Sequence, residues 1–299
     1  MGKRMLVALL VLVVVLVVII SLYIFRTNPQ TLSFSQLDSF SQPWDRLKGP
    51  LSLDLSDGKV VYLADTGNRR ILKYNLAGKG LQEIKGPELG YPVAVAVADD
   101  HIFVSDLTKL SIWIYNRRGQ LTGRIPNTQD EQQIGSIKPF ALAVDESKNL
   151  YVADSNKRRI IKLKFDGTYL GELKTPGING LWSVNALQIR QKEHKLYALD
   201  TGSRALFTFD LSTGSLSDTF YFPNYLPAPR GMAINADDGS AYISDMLANT
   251  VYKLNLTDKS LSLVIAGGMF NHPVSLSLIS KTLLVVDKDN NRVLSFKVE

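Results

Sequence analysis

The chain of 299 residues contains no cysteine. That absence excludes disulfides, thiolate metal sites, cysteine nucleophiles and a lipid joined through an N-terminal cysteine. Histidine is nearly as scarce, and the three copies, His101, His194 and His272, show no zinc-ligand spacing. Acidic residues are missing from residues 1–26. No basic block with interleaved aromatics occurs, so the net charge of +6 does not point to nucleic acid. Apart from one apolar run near the start, no stretch has amphipathic helical periodicity. What the chain does have is a 45% hydrophobic content beside 21% charged residues. That is the balance of a globular protein able to build its core without staples.

The apolar run extends from Met5 to Phe25. About 20 helical residues cover the roughly 30 Å of a bilayer's hydrocarbon. The run is longer than the apolar core of a cleaved signal and ends in Tyr23-Ile24-Phe25-Arg26, without small residues at a cleavage site. Residues 1–26 therefore read as a cytoplasmic tip and an uncleaved transmembrane anchor, with the membrane engaged by residues 5–25. Lys3 and Arg4 precede the span and only Arg26 closely follows it, which keeps the N-terminus in the cytoplasm and places the remainder outside. Residues 27–31 form a linker.

The rest of the chain, residues 32–299, repeats itself. Each unit has a short apolar strand, a turn, a second apolar strand ending in aspartate, five residues, and a third apolar strand. Copies begin at Pro50, Pro92, Pro139, Val184, Pro229 and Pro273. The register is set by Asp65, Asp106, Asp154, Asp200, Asp245 and Asp287, each followed six residues later by an aliphatic residue, from Ile71 to Val293. Successive aspartates lie 41 to 48 residues apart. Four-stranded blades of a β-propeller have this period. Turn signals such as Asp57-Gly58, Asp99-Asp100 and Asp237-Asp238-Gly239 separate first from second strands. The fold class is accordingly all-β, a six-bladed β-propeller behind one transmembrane helix. The sixth repeat stops after its third strand, and residues 32–37 are expected to supply the fourth by pairing with Arg292–Val298, leaving no open edge.

The proline–strand–turn–(Tyr/Phe/Val)-x-(Ala/Ser)-Asp pattern resembles the NHL repeat family over about residues 48–299. Blade four departs most, lacking the leading proline and carrying Arg190-Gln191-Lys192-Glu193-His194 in its first turn. The resemblance implies a fold rather than an activity, because NHL propellers serve many roles.

Six aspartates in six blades read as scaffold, accepting backbone hydrogen bonds; Arg70, Arg159 and Arg292 each follow one by five residues. The Asp200-Thr201-Gly202-Ser203 segment and its partial copy Asp65-Thr66-Gly67 look like halves of an aspartic protease site. That chemistry needs two carboxylates sharing a proton, and the same turn of two different blades would hold them apart. His101 and His194 fall in bottom-face turns and are expected to be exposed. The histidine-bound zinc of propeller amidating lyases finds no matching set here. The glutamate of propeller lactonases finds no counterpart in Leu51-Ser52-Leu53-Asp54-Leu55. What differs between blades is the start of each first strand: Tyr91, Lys138, Phe140, Trp182, Asn185, Arg230, Asn271 and His272. These form the candidate ligand-binding top rim. Residues 126–137 insert between blades two and three as a lid or an idle loop.

The sequence thus leads to an extracytoplasmic interaction module, a membrane-held propeller binding a protein, peptide, glycan or small polar ligand on its top face. No cofactor is implied, though calcium or another divalent metal in the channel is left open. The alternative is a propeller enzyme of the lactonase or lyase type with a channel metal; a third is a structural spacer. The topology is tested by adding protease to intact cells. Propeller epitopes should be digested without breaching the membrane, and digestion only after lysis would reverse the orientation.

Overall fold

The computed structural model describes residues 46–55, 58–126, 131–174 and 181–298. The anchor, the linker and the closing segment 32–37 lie outside these residues. Among the described residues no helix is long and apolar enough to cross a membrane.

Six antiparallel sheets follow one another along the chain. Blade one holds β1 (Ser52–Asp54), β2 (Val60–Asp65), β3 (Arg70–Asn75) and β4 (Gly80–Lys85), and blade two β5 (Pro92–Ala98), β6 (His101–Asp106), β7 (Ser111–Asn116) and β8 (Leu121–Ile125). Blade three holds β9 (Pro139–Val144), β10 (Asn149–Asp154), β11 (Arg159–Lys164) and β12 (Tyr169–Glu172), and blade four β13 (Val184–Arg190), β14 (Lys195–Asp200), β15 (Ala205–Asp210) and β16 (Ser215–Tyr221). Blade five holds β17 (Pro229–Asn235), β18 (Ser240–Asp245), β19 (Thr250–Asn255) and β20 (Leu261–Ile265), and blade six β21 (Pro273–Ile279), β22 (Thr282–Asp287) and β23 (Arg292–Lys297). The first strand of each blade touches that of the next, and β21 returns to β1. The molecule is an all-β, six-bladed propeller, and the sixth sheet has three strands among the described residues.

The core lies between blades. Tyr62, Ala64 and Ile71 of blade one pack against Val95, Val97, Ile102 and Val104 of blade two. At the seam between last and first blades, Val274, Leu284, Val286 and Val293 meet Leu53, Leu63 and Leu72. The Leu53 amide also donates to Ser275 Oγ at 3.3 Å, and the Gly49 amide to Asn291 Oδ1 at 2.7 Å. Third strands are deeply buried although they carry basic residues such as Lys73: Ile71, Leu72 and Tyr74 are all at 1% exposure or less, because a neighbouring blade covers each sheet face.

The aspartates close each blade at its top end. All six are buried, and each accepts from the amide leading into its own first strand. Asp65 takes the Lys48 amide at 2.7 Å, Asp154 that of Lys138 at 3.0 Å, and Asp287 that of Asn271 at 2.7 Å. In these three blades an arginine five residues on donates through Nε to the second oxygen, at 2.7, 3.1 and 2.7 Å. Blades two, four and five have no such arginine, and amides of the following turn fill its place. Asp106 takes the amides of Gly90, Tyr91, Thr108 and Lys109. Asp200 takes those of Trp182, Ser183 and Ser203, and Asp245 those of Ala228, Leu247 and Ala248.

The same turn explains the fixed spacing. The residue four after each aspartate is left-handed in every blade: Arg69, Leu110, Arg158, Arg204, Asn249 and Asn291, with φ between 50° and 57°. L-residues avoid that region. The carboxylate bonds on both sides of the turn hold it there, and one residue later the third strand begins.

The insertion between blades two and three is neither a lid nor idle where it is described. It forms one helical turn, α1 (Glu131–Ile134), and Ile134 and Ile137 are fully buried in the core between those blades. The Ile134 carbonyl accepts from Lys157 Nζ and from Arg159, each at 2.8 Å.

Asp106→Ala removes the acceptor of four amides and should cost about 1–3 kcal/mol. Leu110→Asn, at an exposed left-handed position, should instead stabilise by up to about 1 kcal/mol, since asparagine tolerates that region better. Urea denaturation of the two variants checks both signs.

Candidate functional site

The first strand of each blade pairs on one side only, with the second strand. Its other edge faces the axis, so six strand edges line a central channel of 610 Å³. The residue after each leading position stands at the channel's top: Leu51, Val93, Phe140, Asn185, Arg230 and Val274. Three are aliphatic and three are not, and the unlike three lie on consecutive blades.

Arg230 is the outstanding group. It starts on blade five, yet its guanidinium carbon lies 5.6 Å from the ring centroid of Phe140 on blade three. Its charge is also felt by the phenol of Tyr91, which precedes the first strand of blade two, three blades away. The side chain therefore crosses the channel mouth. Burial holds its pKa below the ordinary arginine value, with Tyr91 opposing weakly. No hydrogen bond or ion pair reaches the guanidinium among the described residues. Gly231 permits this placement of the strand, because a β-carbon there would fall 2.6 Å from Ser244 Oγ and 2.9 Å from Ser275 Cα.

The other rim candidates divide. Phe140 and Asn185 line the channel with Arg230. Asn185 is already engaged, since its Nδ2 donates to Thr201 Oγ1 at 2.5 Å and to the Ser183 carbonyl at 3.2 Å, leaving Oδ1 buried without a partner. Tyr91 is exposed and does not line the channel, though it lies within electrostatic reach of Arg230. Lys138 is exposed and does not line the channel. Trp182, half exposed, lies outside the channel with the Arg158 guanidinium 4.0 Å from its ring centroid. It roofs the pocket over Asp154 and Arg159, so its exposure is that of a cover between blades three and four. His272, left-handed at φ 59°, bonds through Nδ1 to Asp289, which Lys288 also contacts. Asn271 and His272 hold the top of blade six through their carbonyls, accepting from the amides of Asp289 and Lys288. Of the expected rim residues, Arg230, Phe140 and Asn185 line the channel, and Tyr91 stands within electrostatic reach of Arg230.

Of the two bottom-face histidines, His194 is exposed. His101 is not a free turn residue. It opens β6, packs on Phe103 and Phe165 at 5.8 and 5.3 Å between ring centroids, and its Nδ1 is buried without a partner. The two protease-like segments fall on blades one and four, on opposite sides of the ring. Each threonine holds the next blade: Thr66 Oγ1 donates to the Pro92 carbonyl at 2.7 Å and Thr201 Oγ1 to that of Pro229 at 2.5 Å. Among the described residues no group of three or more histidine or acidic side chains stands close enough to hold a metal ion.

The sequence reading overlooked the channel wall below the mouth. Asp54 Oδ2 accepts from the Val97 amide at 2.7 Å. At the equivalent place Gln188 bridges to blade five, donating to the Met232 carbonyl at 3.0 Å and accepting from the Ile234 amide at 2.8 Å. These polar residues in otherwise apolar strands were the available signal.

At the bottom rim the second-strand tyrosines meet acids. Burial, then Glu193, pushes Tyr197 up to about 12, and burial with Asp145 pushes Tyr151 up as well. A phenol raised above its unfolded value of about 10 contributes stability below that pH and loses it as pH climbs through the folded value. The melting temperature should therefore fall between about pH 10 and 12, followed by phenolate absorbance, and Tyr197→Phe should lessen the fall.

No family model matches the chain, and no curated protein matches it. Solved structures do match in fold. A streptogramin B lyase superposes with a TM-score of 0.65 at 16% identity, over 88% of this chain and 87% of that one. A catalytically inactive virginiamycin B lyase from Staphylococcus aureus, with quinupristin, gives 0.63 at 15% identity, over 88% of each chain. The hydrazine synthase of Kuenenia stuttgartiensis gives 0.63 at 15% identity, over 84% of this chain and 96% of that one. At such identities the likeness shows a shared six-bladed propeller fold.

Proposed function

We propose that this chain is a membrane-held, extracytoplasmic binding module of NHL type, and that its channel mouth takes an anionic ligand. One observation carries the reading: Arg230, a partly desolvated guanidinium drawn across the mouth with no acid against it among the described residues. Buried charges in proteins are normally paired, because losing water costs more than an apolar neighbour returns. The Phe140 face offsets part of that cost. An arriving anion offsets the rest, and the planar fork matches two oxygens at once. The anchor, orientation and repeat-family assignment rest on the sequence features given above.

A group kept for a ligand is one the empty fold would be no worse without. Arg230→Gln should leave the melting temperature of the free protein unchanged or raise it. It should also abolish the thermal shift given by acetate, sulfate, phosphate or glucuronate in the wild type. A lower melting temperature with anion shifts intact would make Arg230 a structural residue and end this reading.

A second reading has one observation behind it. His272, oriented through Nδ1 by Asp289, has the arrangement of a general base, and it sits on the blade next to Arg230. In that reading the propeller is an enzyme of the lyase or lactonase kind, with Arg230 stabilising negative charge. Turnover of a lactone or ester lost in His272→Gln, with the fold intact, would establish it.

A further inference from the structure

The channel wall is not uniform, and its variation is legible blade by blade. Alternate amides and carbonyls of every first strand point away from the second strand and toward the axis. Side chains of the preceding blade cover some of them. Asp54 covers the edge of β5, Gln188 that of β17, and Ser275 that of β1. Asp54 and Gln188 occupy the fourth position after the leading residue of their strands. In blades two, three and five that position is Ala96, Ala143 and Ala233. The position two before it is Ala94 and Ala141 in the first two, and in blade five it is Gly231, whose backbone lies close against Ser275 of β21. A methyl group accepts and donates nothing. Among the described residues the axial edges of β9 and β13 therefore have no side-chain cover from the preceding blade, and Ala94, Ala96, Ala141 and Ala143 line the channel.

This uncovered sector is the one over which Arg230 reaches. Its guanidinium rests above Phe140, the second residue of β9, and Asn185 stands at the same level of β13. Beneath them run Leu142 and Val144 on one edge, and Leu187 and Ile189 on the other. A cation lies at the top, and below it run two strand edges that no side chain of the preceding blade covers among the described residues.

We propose that the channel binds a short peptide-like acid, its free carboxylate on Arg230 and its amide groups paired with the uncovered edges of β9 and β13. The proposal rests on the anion reading above and names the ligand's class. A strand edge recognises another main chain by alternating hydrogen bonds. The charge matches a monoanion, since Arg230 is the one cation lining the channel among the described residues and Asp54 shares the wall. A phosphate dianion would meet too little positive charge. An acidic sugar would need an open aromatic face in the channel, but Phe140 is the one aromatic lining it among the described residues and Arg230 lies over its ring. The volume of 610 Å³ admits a ligand of drug size and limits the peptide to a few residues.

The test uses the full chain in detergent and calorimetric titration with pooled di- and tripeptides, their C-terminal amides, galacturonate oligomers and inorganic phosphate. Free-acid peptides should bind, and both amidation and Arg230→Gln should weaken them at least tenfold. Ala143→Gln places the Gln188 cover on the edge of β13. It should weaken peptides at least tenfold while leaving the thermal shift by acetate in place, which shows that the fold and Arg230 are intact. Arg230-dependent binding of galacturonate or phosphate but of no peptide would overturn this inference and leave the anion reading standing. Peptide binding indifferent to Ala143→Gln would also overturn it. No Arg230-dependent binding of any probe would overturn both.

Discussion

A carboxylate at the end of each second strand is the constraint on which the remainder depends. It joins the start of the first strand to the turn before the third, so three strands of a blade are fixed at one point. The turn is strained, with a left-handed residue in all six blades, and in four of them that residue is arginine or leucine. Buried and fully engaged, the carboxylate offsets that strain. It is achieved in two ways, with an arginine as the second partner in blades one, three and six, and with turn amides in blades two, four and five. Two chemistries giving one geometry mark the position as architectural.

Because that geometry is local, the sequence announces it. The aspartate, the five-residue gap and the aliphatic residue after it are consequences of one turn, so they recur at fixed spacing. The alternating and fully apolar strands follow from burial between neighbouring blades. Blade number and strand order could therefore be read directly. The site was less legible, because it depends on where long side chains travel after leaving the backbone. Trp182 and Arg230 both stand near the start of a first strand, yet one lies under an arginine between blades and the other spans the channel. The insertion after β8 gave no sign that Ile134 and Ile137 would plug a seam, since two isoleucines in a polar segment suit a loop equally well. His101 looked like a turn residue until Phe165 arrived from the next blade.

The channel wall shows how a repeat acquires a distinct side. Six nearly identical strands contribute the same main-chain groups, and single side chains decide which of those remain open. Asp54 and Gln188 close theirs, whereas Ala96 and Ala143 do not. Such positions lie where the interblade core meets the axis, so recognition can differ from blade to blade while the strand pairing stays the same.

The threonine contacts have a consequence for how the ring yields. Thr66 ties blade one to blade two at the top, and Asp54 ties the same pair lower down. Thr201 and Gln188 do the same for blades four and five. These two doubly fastened seams are diametrically opposed, like the hinges of a clasp. Among the described residues neither device occurs at the other four seams, although Ile134 and Ile137 fill the one between blades two and three. Thermal breathing of the ring should therefore spare the two fastened seams and fall on the others.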